Sequence, residues 1–245
     1  MNIVSRAAIF AKAAHLAINQ RRKYTDEPYH THPFRVAEIV QEAGGTPEMI
    51  AAAYLHDVVE DTHVTIEAIS EEFGFEVAAL VEWVSDFQTS ADGNRAARKS
   101  VEREKLASAS PSAQTIKLAD LIDNTKSIVE HDLDFATIYL QEKQQLLRVM
   151  DKGDAVLYAE AMQICMDSID KVKEEKERRR PMTHRVYING RRKVTVYSAK
   201  KRGTLSANSQ WVSVTRFEMP MMRYFAISFP TERRDYLPSC VLLWQ

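Results

Sequence analysis

The chain has 245 residues, with 33 Lys and Arg against 34 Asp and Glu, 45% hydrophobic and 27% charged residues. These proportions exclude a disordered or collagen-like chain, and no apolar run approaches the ~18–20 residues that span a bilayer. Two cysteines cannot build a disulfide framework, and seven glycines form neither GxGxxG nor GxxxxGK[ST], so a dinucleotide-binding unit and a P-loop nucleotidase are both excluded. A reducing cytoplasmic setting is the expectation.

Along the chain, Ile9, Phe10, Ala13, Ala14, Leu16 and Ala17 mark a first helix over 5–20. The polar stretch 21–31, with Pro28, reads as a loop. Pro33 suits the first turn of a second helix running to Glu42, which Gly44-Gly45 ends. Thr46 and Pro47 are N-cap and N1 of a third helix reaching Val59. A short helix from Thr65 to Gly74 and another from Phe75 to Asp86 follow. Residues 88–100 show no period and read as an exposed loop. Helices over 112–129, 135–150 and 155–172 complete an all-α body of about eight helices over residues 1–175.

The last 65 residues differ. From Pro181 to Gln245 the net charge is +8, against −9 for the preceding 180 residues, and the join Lys171–Arg180 is mostly charge. Val186–Ile188, Asn189-Gly190 and Val194–Tyr197 read as a hairpin, because Asn-Gly supplies the positive φ angles of a type I′ turn. Trp211–Val214 and Tyr224–Phe229 suggest further strands. Residues 181–245 are therefore expected to be a basic, β-rich extension. Its charge and aromatic residues permit contact with nucleic acid or a partner protein, although no nucleic-acid motif is present.

Three segments carry chemistry. His32-Pro33 opens the second helix, His56-Asp57-Val58-Val59-Glu60-Asp61 closes the third, and Lys117-Leu118-Ala119-Asp120 leads to Asn124. On a helix His56 stands above Glu60 and Asp57 above Asp61. So many ionisable groups beside Ile50, Ala51, Ala52, Ala53 and Leu55 are costly to bury without a cation. His32, His56, Asp57 and Asp120 form a mixed nitrogen and oxygen set suited to Mn, Fe or Zn rather than Cu(I). A divalent ion there lowers the pKa of water and neutralises phosphate charge. Glu60 and Asp61 are then placed to move protons. Asn124, one turn beyond Asp120, is expected to face the same site.

HDVVEDT, preceded by HP and followed by KLAD with Asn124, resembles the HD superfamily, and more closely the hydrolase domain of RelA/SpoT proteins and the small alarmone hydrolases, including metazoan SpoT homologues. Ala13–His15, Gln20–Lys23, Pro28-Tyr29, Val36-Ala37 and Phe73-Gly74 extend the resemblance over residues 5–170. It implies an all-α HD-domain bundle and a manganese-dependent hydrolase that removes the 3′ pyrophosphate of guanosine tetra- or pentaphosphate. It implies His32, His56, Asp57 and Asp120 as metal ligands and Glu60 and Asp61 as the groups that activate water or transfer protons. Arg22, Lys23, Asn124 and, at a family hydroxyl position, Ser127 are implied as nucleotide contacts. Leu121 stands where the family has a basic residue and Lys126 where it has arginine. A phosphatase acting on another nucleotide, such as NADPH or a deoxynucleotide, would use the same chemistry. No synthetase segment is expected in the tail.

Overall fold

A computed structural model describes residues 1–179 and, beyond them, six strands. The chain divides into two compact units, Met1–Glu175 and Lys176–Gln245. The described residues of the first hold α-helices and one 3₁₀ turn. They are α1 (Ile3–Ala17), α2 (Thr31–Glu42), α3 (Pro47–Leu55), α4 (Val58–Asp61), α5 (Ile66–Phe73), α6 (Phe75–Val84), α7 (Arg95–Ser108), α8 (Pro111–His131), α9 (Leu133–Leu147) and α10 (Ala155–Arg179), which continues past Glu175.

Side-chain caps start most of them. Asn2, Thr46, Thr65, Asn94, Ser110 and Asp132 each accept a backbone N–H from three residues on, and Pro47 and Pro111 occupy the first turns of α3 and α8. α8 is the central element. Ile116, Leu118, Ala119, Leu121 and Ile122 are buried, and it packs on α2, α3, α6 and α9. α3, with Ala51, Ala52, Ala53 and Leu55 fully buried, lies against α1, α2 and α6. Small residues let these axes approach closely, which brings the first turn of α2, the end of α3 and the middle of α8 to one place. Gly153 serves the same end at α8, since a Cβ there would stand 2.7 Å from Leu118 Cδ1.

Two departures from the sequence reading matter. The third helix does not run unbroken to Val59: it ends at Leu55, and α4 restarts after His56-Asp57. The His56 carbonyl accepts instead from Ser85 Oγ at 2.8 Å, and that hydroxyl is also held by Val81 O at 2.9 Å. The stretch 88–100 is not all loop. A 3₁₀ turn at Ser90–Asp92 precedes α7, whose buried residues are Glu102 and Leu106. So polar a helix has no apolar stripe to betray it.

In the second unit β1 (Met182–Ile188) pairs antiparallel with β2 (Arg192–Ser198), Val186 opposite Val194. The Asn189-Gly190 turn lies outside the described residues. A separate antiparallel sheet has the order β3 (Leu205–Ala207), β4 (Gln210–Met219), β5 (Met222–Ser228), β6 (Cys240–Val241). The expected strand at Trp211–Val214 falls in β4, and that at Tyr224–Phe229 falls in β5 except for Phe229, which lies outside the described residues.

Candidate metal centre

The site begins with two histidines that present the same nitrogen inward. His32 enters on the first turn of α2, and its Nδ1 lies 2.7 Å from Asp123 Oδ2. His56 sits in the α3–α4 junction, with Nδ1 donating to Ala53 O at 2.8 Å. Each ring is fixed by its Nδ1 bond, which leaves Nε2 for the centre. Both are buried, 1% and 2% exposed, with ring centroids 5.2 Å apart.

Two carboxylates meet these nitrogens. Asp57 places Oδ1 3.2 Å from His56 Nε2 and Oδ2 3.6 Å from His32 Nε2. Asp120, in mid-α8, places Oδ1 3.1 Å from His32 Nε2 and 3.8 Å from His56 Nε2. One donor atom each from His32, His56 and Asp57 lies within 4.8 Å of the others. His56 Nε2 is buried and has no hydrogen-bond partner, because the nearby carboxylate oxygens are not aligned with it. A buried polar nitrogen crowded by oxygens it does not bond is what a cation between them would resolve. The donor set fits a divalent metal.

Electrostatics agree. Burial opposes a charge on His56, but Asp57 and then Asp120 outweigh it and push its pKa up to about 9. His32 is raised above the ordinary imidazole value, burial again opposing, by its bonds to Asp120 and Asp123. Asp57 and Asp120 are held below the usual carboxylate range despite burial, Asp57 chiefly by His56 and Asp120 chiefly by the Lys117 ammonium. Lys117 Nζ lies 2.8 Å from Asp120 Oδ2, so one oxygen of Asp120 is tied back while the other faces the imidazoles.

Glu60 and Asp61 flank this centre on α4. Glu60 accepts from the Asp86 backbone N–H at 2.9 Å. Loss of hydration, then the Asp57 charge, pushes its carboxyl up to about 7. The residue is exposed, so water screens part of that shift. Asp61 is raised for the same two reasons and accepts from Gln20 Nε2 at 2.9 Å.

The expected nucleotide contacts divide. Arg22 is buried, with NH1 3.2 Å from Asn124 Oδ1 and NH2 3.6 Å from Asp123 Oδ2, and Asn124 Nδ2 donates to Asp120 Oδ1 at 2.6 Å. Arg22 and Asn124 thus adjoin the centre. Lys23 is turned to the α8–α9 corner, with Nζ 3.1 Å from Tyr24 Oη and 3.9 Å from Asp132 Oδ2. Ser127, half-buried, lies one turn beyond Asn124 on α8. Leu121 is buried and Lys126 is exposed.

Several site residues escape sequence reasoning. Tyr29 donates to Asp57 Oδ2 at 2.8 Å. Asp123 receives Arg35 Nε at 2.6 Å as well as His32, and these two partners lower its pKa to about 2 against the effect of burial. The one available signal was Asp123 itself, a second acid three residues after Asp120 in an apolar helix.

This helical scaffold, with two imidazoles and two carboxylates converging from three helices, defines a metal-dependent HD protein. The chain belongs to the HD domain family, whose model matches residues 7–151. Over 130 residues it is 40% identical to a probable guanosine-3′,5′-bis(diphosphate) 3′-pyrophosphohydrolase of Synechocystis, and over 131 residues 37% identical to the 3′-pyrophosphohydrolase MESH1 of Xenopus tropicalis. Each alignment takes 51% of this chain, but 17% of the Synechocystis protein and 72% of the Xenopus one. The chain thus spans about a sixth of the length of the bacterial relative. A solved metazoan orthologue of SpoT, described as hydrolysing ppGpp, superimposes with TM-score 0.60 at 27% identity, covering 72% of this chain and 96% of its own.

Proposed function

We propose that the chain is a 3′-pyrophosphohydrolase of guanosine tetra- and pentaphosphate, with manganese as its ion. The observation that carries this is a His32, His56, Asp57 cluster flanked on one side by the acid pair Glu60 and Asp61 and on the other by Arg22. Relatives bearing the 3′-pyrophosphohydrolase name, of which the chain covers 72% and 67%, support the substrate class.

His32, His56, Asp57 and Asp120 would hold the ion. When bound, it supplies charge neutralisation for phosphate and lowers the pKa of water. Glu60, with its carboxyl near neutrality, accepts the proton of the attacking water. The new bond forms to the phosphorus attached to the 3′ oxygen, the bond to that oxygen breaks, and pyrophosphate leaves. Asp61 supplies the proton that the 3′ oxygen takes up, leaving GDP or GTP. Arg22 offers a guanidinium to phosphate, with Asn124 beside it. Lys23 and Ser127, farther out, meet the nucleoside end.

Residues 1–175 form the hydrolase domain in this reading, and 181–245 a basic β-rich extension. Purified protein with Mn²⁺, given ppGpp, NADPH and deoxynucleotides with and without chelator, tests the assignment. Chelator-sensitive pyrophosphate release from ppGpp is expected. Orthophosphate release from the other nucleotides alone would replace it with a nucleotide phosphatase.

A further inference from the structure

The end of α1 is built to reach the catalytic acids. Asn19 takes a left-handed backbone, φ +50°, which asparagine tolerates better than most residues. Asn19 N then donates to Leu16 O at 3.0 Å and Gln20 N to His15 O at 3.1 Å. This is the helix ending in which the second residue past the C-cap, here Ile18, reaches back five positions. It folds Gln20 over the very residue whose carbonyl it caps. Tyr29 N donates to Gln20 O at 3.0 Å, so the Gln20 backbone is held from both sides.

The side chains continue the pattern. His15 Nδ1 lies 2.7 Å from Gln20 Oε1, and Gln20 Nε2 donates to Asp61 Oδ2 at 2.9 Å. An amide donates only through nitrogen, and Asp61 as a carboxylate only accepts. The Gln20 oxygen therefore faces His15, whose proton must sit on Nδ1. His15 is 1% exposed and its Nε2 has no partner, which suits a ring whose second nitrogen carries no proton. The direction of every bond is fixed, and it ends by presenting an N–H to Asp61.

We propose that Gln20, oriented by His15, is a positioning residue that holds the Asp61 carboxyl in one rotamer, with its second oxygen turned to the reacting phosphate. This rests on the assignment of Asp61 to proton transfer. The groups facing Asp61 are Asp57 at the α3–α4 junction, His15 on α1, and Gln20 and Tyr29 in the α1–α2 loop. Burial and Asp57 raise the Asp61 carboxyl, and the Gln20 bond opposes them. Losing that bond leaves the carboxyl free to turn between rotamers.

The test uses the full chain with Mn²⁺. Gln20→Leu should lower kcat roughly 10- to 100-fold, with KM and bound Mn²⁺ little changed. His15→Asn, which keeps a donor near Nδ1, should restore most of the rate that His15→Leu loses. A Gln20→Leu protein that melts earlier but keeps kcat would overturn the proposal. Two readouts need no substrate. ¹⁵N spectra should place the His15 proton on Nδ1, and a coupling through the hydrogen bond should join Gln20 Nε2 to the Asp61 carboxyl carbon. A proton on Nε2, or no coupling between Gln20 and Asp61, ends the proposal even if ppGpp is cleaved. Absence of cleavage by wild type with both signatures present removes the substrate reading and leaves the hydrogen-bond chain standing.

Discussion

At the scale of single residues, charge placement separates holding an ion from moving protons. Asp57→Ala and His56→Ala each delete a donor, and calorimetry should find divalent-metal binding abolished. Glu60→Gln should bind metal normally yet lose ~10²–10⁴-fold in kcat, the usual contribution of an acid–base group; normal turnover would reassign the base. His56 links the centre to pH. Its folded pKa is raised to about 9, so its proton stabilises the ion-free protein below the ordinary imidazole value near 6.5, and that contribution is lost as pH rises through 9. An ion must displace this proton. The melting-temperature gain on adding Mn²⁺ should therefore grow from pH 6.5 to 8.5, and a flat gain would show that His56 is not a ligand. Lys143 has the opposite sign. It is 2% exposed, donates to Leu121 O at 3.1 Å and to Thr125 Oγ1, and burial lowers its pKa to about 8. The unfolded chain then binds more protons between 8 and 10.5, so stability rises with pH across that range. Lys143→Met, removing a buried charge at similar volume, should melt no lower than wild type at pH 7.

At the scale of elements, the break between α3 and α4 aims His56 and Asp57 at the centre. Ser85 holds it open through His56 O. Ser85→Ala should cost ~1 kcal/mol in denaturant unfolding and weaken metal binding, whereas loss of stability alone would show that the break sustains itself. This break was not legible in the sequence, since it depends on a hydroxyl 29 residues away. The convergence of His32, His56, Asp57 and Asp120 was legible because HP, HDVVED and KLAD place polar groups where apolar neighbours demand a reason for them. Asp123, Tyr29, Gln20 and Arg35 were not, because each looks like an ordinary polar residue until distant segments meet. α7 was missed for want of buried apolar positions. The caps at Thr46-Pro47 and the glycine stop at Gly44-Gly45 were readable from local chemistry alone.

At the scale of the whole molecule, the charge asymmetry invites its own test. Residues 181–245 carry a net +8. Retention on RNA or heparin should fall steeply with salt and vanish when they are removed, while pyrophosphate release by the remainder is unchanged. Among the described residues no helix is long and apolar enough to cross a membrane. The spacing of the donors has a last consequence. His32 and Asp120 touch across 88 positions of chain, so the cage exists only once the N-terminal third and the middle have closed on each other. An ion that binds there fastens a large loop like a rivet, favouring the folded form by mass action. Starving the protein of metal should loosen the whole helical body, and susceptibility to proteolysis would then report trace-metal supply.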